Sequence, residues 1–135
     1  MRILGIDHVA IIGESIDGMA QPYLDLLAML SGPREFVEGQ RTDAAFLLTE
    51  EEAGACVELI APRGNPTLEK FLEKRGPGLH HVAFRVEDVD VALRELDERG
   101  VKLIDKVGRP GARGHRVGFI HPATFGGVLV ELVGH

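Results

Sequence analysis

The chain repeats itself, and that duplication limits its possible folds more than any other feature. Ile6-Asp7-His8-Val9-Ala10 is answered by Leu79-His80-His81-Val82-Ala83, and Val57-Glu58-Leu59-Ile60 by Val130-Glu131-Leu132-Val133. In each half the glutamate follows the histidine by 50 residues. A spacing kept this closely marks two copies of one supersecondary unit. The histidine runs alternate or are continuously apolar, as half-buried or buried strands do, and the glutamate runs are rich in β-branched residues. Ser15 and Asp88 each stand seven residues past the histidine of their half, where their side-chain oxygens can cap a helix N-terminus. The pattern predicts a helix over about 16–30, with Pro22 an awkward guest, and a second over Val89–Arg99, ended by Gly100. Further strands are expected at Arg34–Val37, Thr42–Thr49, Val101–Asp105 and Arg116–His121.

Each half therefore reads β-α-β-β-β. The expected fold is α+β in a single domain over 1–135, with one module at about 3–61 and the other at about 78–134. They are joined by a crossover at about 62–77 that holds a short helix from Thr67 to Lys74 among Pro62, Gly64, Pro66 and Gly76. Packed side by side, two such modules would curl mixed sheets around a shared cavity. The run Glu50-Glu51-Glu52 is expected to be a solvated turn.

Composition narrows the partners. A net charge of −6 disfavours non-specific binding to nucleic acid or to anionic lipid, both of which need clustered Lys and Arg. The single cysteine, Cys56, fits a reducing compartment, and no run is long and apolar enough to span a bilayer. The expectation is a cytoplasmic protein acting on a small molecule, with no nucleic acid and no membrane partner.

The repeated residues carry the chemistry. A buried glutamate is costly unless paired or metal-bound, and Glu58 and Glu131 each stand mid-strand among apolar neighbours. With His8 and His81 they make an imidazole and carboxylate set suited to Zn, Co, Ni, Mn or Fe(II), with positions left open for substrate. Taken alone, a strand histidine is more often a packed core or surface residue; the duplication is what points to ligands. His80, next to His81, must face the other way and is expected to pack outside the cavity. Cys56 shares the face of Glu58 and reads as a small buried hydrophobe.

These residues resemble the vicinal oxygen chelate (glyoxalase-like) superfamily and, within it, the methylmalonyl-CoA epimerase family. The likeness spans nearly the whole chain. It is carried by 6–10, by Glu58-Leu59-Ile60-Ala61-Pro62, by Gly78-Leu79-His80-His81-Val82-Ala83-Phe84-Arg85-Val86, by the 100–104 segment and by the closing run from Phe119 to Leu132. The resemblance implies that His8, Glu58, His81 and Glu131 hold a divalent metal, Co(II) first and Zn, Ni or Mn after it. Glu58 stands where some members carry glutamine. It also implies interconversion of (2R)- and (2S)-methylmalonyl-CoA, within propionate metabolism, through loss and return of the C2 proton. Glu131 is the first candidate base. The family's second acid/base has no clear glutamate here, and Asp43 is the nearest candidate. Ala123 replaces the lysine that follows His-Pro in relatives. Arg109, Arg113 and Arg116, in a Gly-rich loop, are candidates to meet CoA phosphates. A homodimer is expected, since open sheets leave edge strands for a partner to cover. Competing readings are a glyoxalase I-like enzyme acting on a thiol adduct, an extradiol dioxygenase, and a non-catalytic ligand-sequestering protein.

Overall fold

The computed structural model describes residues 1–50 and 54–135, so Glu51 and Glu52 of the acidic run lie outside the described residues. It divides into two compact units, one of residues 8–80 and the other of residues 1–7 with 81–135. The first strand, β1 (Gly5–Ile12), crosses the division.

In the unit of residues 8–80, α1 (Ile16–Asp25) follows β1, then come β2 (Leu30–Val37), β3 (Thr42–Leu48), β4 (Cys56–Pro62) and α2 (Pro66–Arg75). The strand order is β2-β3-β4-β1. The first two pairings are antiparallel, and β4 lies parallel to β1 with Ala10 opposite Glu58. Strand alternation sorts the side chains. Ala45, Leu47, Leu59 and Ala61 pack with Ile16 of α1 as the core, so Phe46 and its ladder partner Glu58 face the other way.

The second unit repeats the plan with β5 (Gly78–Arg85), which also crosses the division, α3 (Val89–Glu98), β6 (Arg109–Pro110), β7 (Arg116–Ile120) and β8 (Val130–Gly134). Its order is β5-β8-β7-β6, again with the first strand parallel to the last. Residues 1–7 join this unit through Leu4 N–H, which donates to Arg85 O at 2.8 Å. The helix α3 is capped by Asp88, whose side chain accepts from Val91 N–H, and it buries Val89, Ala92, Leu93 and Leu96 against Ile120, Val130 and Leu132. Gly118 makes this seat possible, because a Cβ there would lie 2.7 Å from Leu93 Cδ1.

Three expected elements differ. The first helix, expected over about 16–30, stops at Asp25. Pro22 donates no hydrogen bond, Ala28 turns left-handed at φ 52°, and Leu30 already begins β2. The strand expected at Val101–Asp105 is reduced to one bridge, Leu103 to Ile120. There the Asp105 carboxylate accepts Phe119 N–H at 2.9 Å, and both Ile104 N–H and Asp105 N–H converge on Phe119 O instead of extending a ladder. The outer strand of that sheet is instead the two-residue β6. The crossover helix is longer than expected, running Pro66–Arg75 with Asn65 as its cap.

Candidate functional site

Each unit presents one histidine and one glutamate on the sheet face that its helix leaves bare. Between residues 8 and 80, His8 on β1 and Glu58 on β4 approach with Nε2 and Oε1 3.7 Å apart. In the other unit, His81 on β5 and Glu131 on β8 approach at 3.5 Å between Nε2 and Oε2. All four residues are buried, between 4 % and 7 % exposed. Two adjacent ligands on an ion at metal–nitrogen and metal–oxygen distances of about 2.1 Å lie roughly 3.0–3.4 Å apart. The observed spacings lie just beyond that range, near enough for both donors of a pair to close on one ion. Neutral imidazole and ionised carboxylate in a buried setting are donors for a divalent first-row metal.

An aromatic ring backs each histidine. Phe46 meets His8 edge-on at 6.0 Å between centroids and 87° between planes, and Phe119 meets His81 at 5.3 Å and 89°. These two phenylalanines are 73 residues apart, as are His8 and His81, and Glu58 and Glu131. The same repeat that places the His/Glu pairs thus carries the aromatic rings packed against each histidine. Extending the offset beyond the polar positions would have found both phenylalanines from sequence.

The other candidates fall elsewhere. Asp43 lies on the core side of β3, opposite Ala61, and Arg63 grips it at 2.6 and 3.2 Å. It does not share the face of His8 and Glu58. Glu35 does: it is half-buried and pairs with Ala44, two residues from Phe46 on the same side of the sheet. Sequence reasoning missed it because the irregularity between Ser31 and Arg34 hides the alternation of β2. Cys56 is buried opposite His8 in the ladder. His80 meets Phe71 of α2 at 4.9 Å, and burial pushes its pKa down to about 4, so it stands neutral near pH 7. Arg116 is committed to Asp90 at 2.6 and 3.1 Å. Arg109 bonds Asp105 and lies over the Phe119 ring, 5.4 Å from its centroid. Arg113 approaches Asp7.

Residues 7–119 match the profile of the Glyoxalase/Bleomycin resistance protein/Dioxygenase superfamily, and the chain belongs to that superfamily. Several of its relatives are named epimerases, and another, the uncharacterized protein YqjC of Bacillus subtilis, is 38 % identical over 94 % of this chain and 89 % of its own. The ethylmalonyl-CoA/methylmalonyl-CoA epimerase of Cereibacter sphaeroides is 32 % identical over 94 % of this chain and 95 % of its own. The crystal structure of methylmalonyl-CoA epimerase from Mycobacterium tuberculosis superposes with a TM-score of 0.89 at 38 % identity, over 98 % of this chain and 88 % of that one. A methylmalonyl-CoA epimerase solved in complex with methylmalonyl-CoA and ammonium gives 0.90 at 31 % identity, over 98 % and 95 %.

Proposed function

We propose that this chain interconverts the two C2 epimers of methylmalonyl-CoA, with His8, Glu58, His81 and Glu131 as ligands of one divalent metal ion. The observation that carries the reading is the duplicated buried His/Glu pair, each pair close enough to close on one ion, in a chain several of whose relatives are named for this reaction. The ion, Co(II) by preference, would supply positive charge to the thioester and carboxylate oxygens and so lower the cost of an enolate.

Glu131 takes the C2 proton. A carboxylate has two oxygens, so it can serve an ion with one and a proton with the other. Asp43 would have to leave Arg63 and cross the sheet to return a proton to the opposite face of C2. Glu35, already on the face of Glu58, is assigned that role instead. No helix among the described residues is long and apolar enough to cross a membrane. We place the protein in the cytoplasm, in propionate metabolism, as a homodimer.

The test is exchange of the C2 proton with deuterated solvent. Chelator-treated protein should be inert and Co(II) should restore it, with methylmalonyl-CoA and ethylmalonyl-CoA run side by side to rank the acyl groups. No exchange with any divalent metal would sink the epimerase reading and favour a glyoxalase-type thiol adduct.

A further inference from the structure

A second polar cluster lies in the unit of residues 1–7 and 81–135, apart from the His/Glu pair. Asp7, its side chain 3 % exposed, draws three cationic or potentially cationic groups. His135 Nε2 lies 2.6 Å from Asp7 Oδ1, Arg85 Nε 3.8 Å from the same oxygen, and Arg113 Nη2 3.8 Å from Oδ2. The His115 ring stacks on His135 at 3.9 Å and 16°, which holds the His135 imidazole on the carboxylate. A buried carboxylate needs one close cation to offset its desolvation. Here the two guanidiniums share that carboxylate.

Both guanidiniums also reach beyond Asp7. Arg85 Nε is buried and makes no hydrogen bond to any described residue, whereas the Arg85 and Arg113 side chains remain 33 % and 25 % exposed. Their planar forks suit the oxygens of a phosphate. The cluster also lies on the working side of the sheet. Arg85 shares the face of His81 through Ala83, and His135 continues the face of Glu131 and Val133, in each case four residues along. Four residues of strand advance about 13 Å. A ligand whose reacting end sits at His81 and Glu131 and whose phosphate sits at Arg85 and Arg113 must therefore carry a long flexible arm between them.

We propose that Arg85 and Arg113, braced by Asp7 and His135, form the subsite for a phosphate group of the CoA moiety. The assignment rests on the CoA-thioester reading above and deepens it. Of the three arginines that sequence suggested for this task, it keeps Arg113, releases Arg109 and Arg116 to their own carboxylates, and adds Arg85.

Calorimetric titration of the intact metal-loaded protein separates the claims, with three probes: CoA, pantetheine as its phosphate-free arm, and inorganic diphosphate. Arg85→Gln should weaken CoA and diphosphate about tenfold, the scale of one charge-assisted hydrogen bond, and leave pantetheine unchanged. Arg85→Lys should recover part of the loss. In turnover, Arg85→Gln should raise KM for the CoA thioester without lowering kcat. Because Arg113→Gln deprives Asp7 of a partner, its thermal midpoint is read first, and Arg85→Gln decides if it unfolds. Equal weakening of CoA and pantetheine, or none of either, overturns the subsite. Diphosphate binding that needs Arg85, without CoA binding by the wild type, would keep the anion site and remove the CoA reading.

Discussion

The two halves carry the same His/Glu pair on the same strands but support it differently. In the second, α3 buries four side chains beneath β7 and β8, and Arg109 covers the ring of Phe119 behind His81. In the first, α1 buries only Ile16, ends early, and leaves Leu26 80 % exposed. Duplication thus kept the His/Glu pair while the scaffold around each copy drifted, and the better-packed copy holds the glutamate assigned to proton transfer. The sharpest way to break this comparison is to neutralise each glutamate. Glu131→Gln should cut C2 proton exchange roughly a hundredfold to ten-thousandfold, the usual worth of a positioned base. Glu58→Gln, which keeps a carbonyl oxygen on the same strand, should stay within about tenfold of the wild type. Equal losses would mean that both act only as ligands.

The helices offer the next contrast. Leu93 is fully buried against β7, so Leu93→Ala should cost about 3 kcal/mol by urea unfolding, the typical cost of a core leucine cavity. Leu26→Ala, at the exposed end of α1, should shift stability by no more than about 0.5 kcal/mol. Gly118→Ala belongs with the first of these, since its methyl would push Leu93 out of its seat. A third pair tests the proton return: Glu35→Gln should slow conversion between epimers about a hundredfold while exchange from the face served by Glu131 persists. Asp43→Asn should leave both rates within about twofold and lose only the exposed bridge to Arg63.

Sequence legibility follows the same division. The repeat made β1, β4, β5 and β8 readable because their buried positions alternate under tertiary constraint, and those four strands carry the two His/Glu pairs. Local side-chain chemistry defeated the strand expected at Val101–Asp105. The Asp105 carboxylate takes the Phe119 N–H that a strand at Val101–Asp105 would have used, and no periodicity in the sequence records that competition. The end of α1 was hidden for another reason: Leu26, Leu27 and Leu30 continue an apolar pattern that the backbone leaves at Ala28. The face that Asp43 takes turns on register. A one-residue error at the Gln40-Arg41 turn moves a side chain from one face of the sheet to the other, and Arg41 adopts a left-handed conformation there at φ 43°.

The smallest expected effect lies where α3 meets the edge of its sheet. Asp90 accepts from Arg116 and from Gly108 N–H, and the Arg116 hydrogen bond, followed by that of Gly108, holds its carboxyl below the ordinary 3.8. A carboxyl whose pKa is lower folded than unfolded binds fewer protons in the native state. Its contribution to stability is therefore fully present above 3.8 and is lost as pH falls through the depressed folded value. Both partners are exposed to solvent, so salt should weaken the effect. Asp90→Asn should accordingly flatten the acid limb of stability against pH and leave the neutral plateau lowered slightly, with less difference from the wild type at high ionic strength. Urea midpoints taken across the acid range at two salt concentrations decide it, and an unchanged acid slope would show that this bridge only fixes the loop at Gly108.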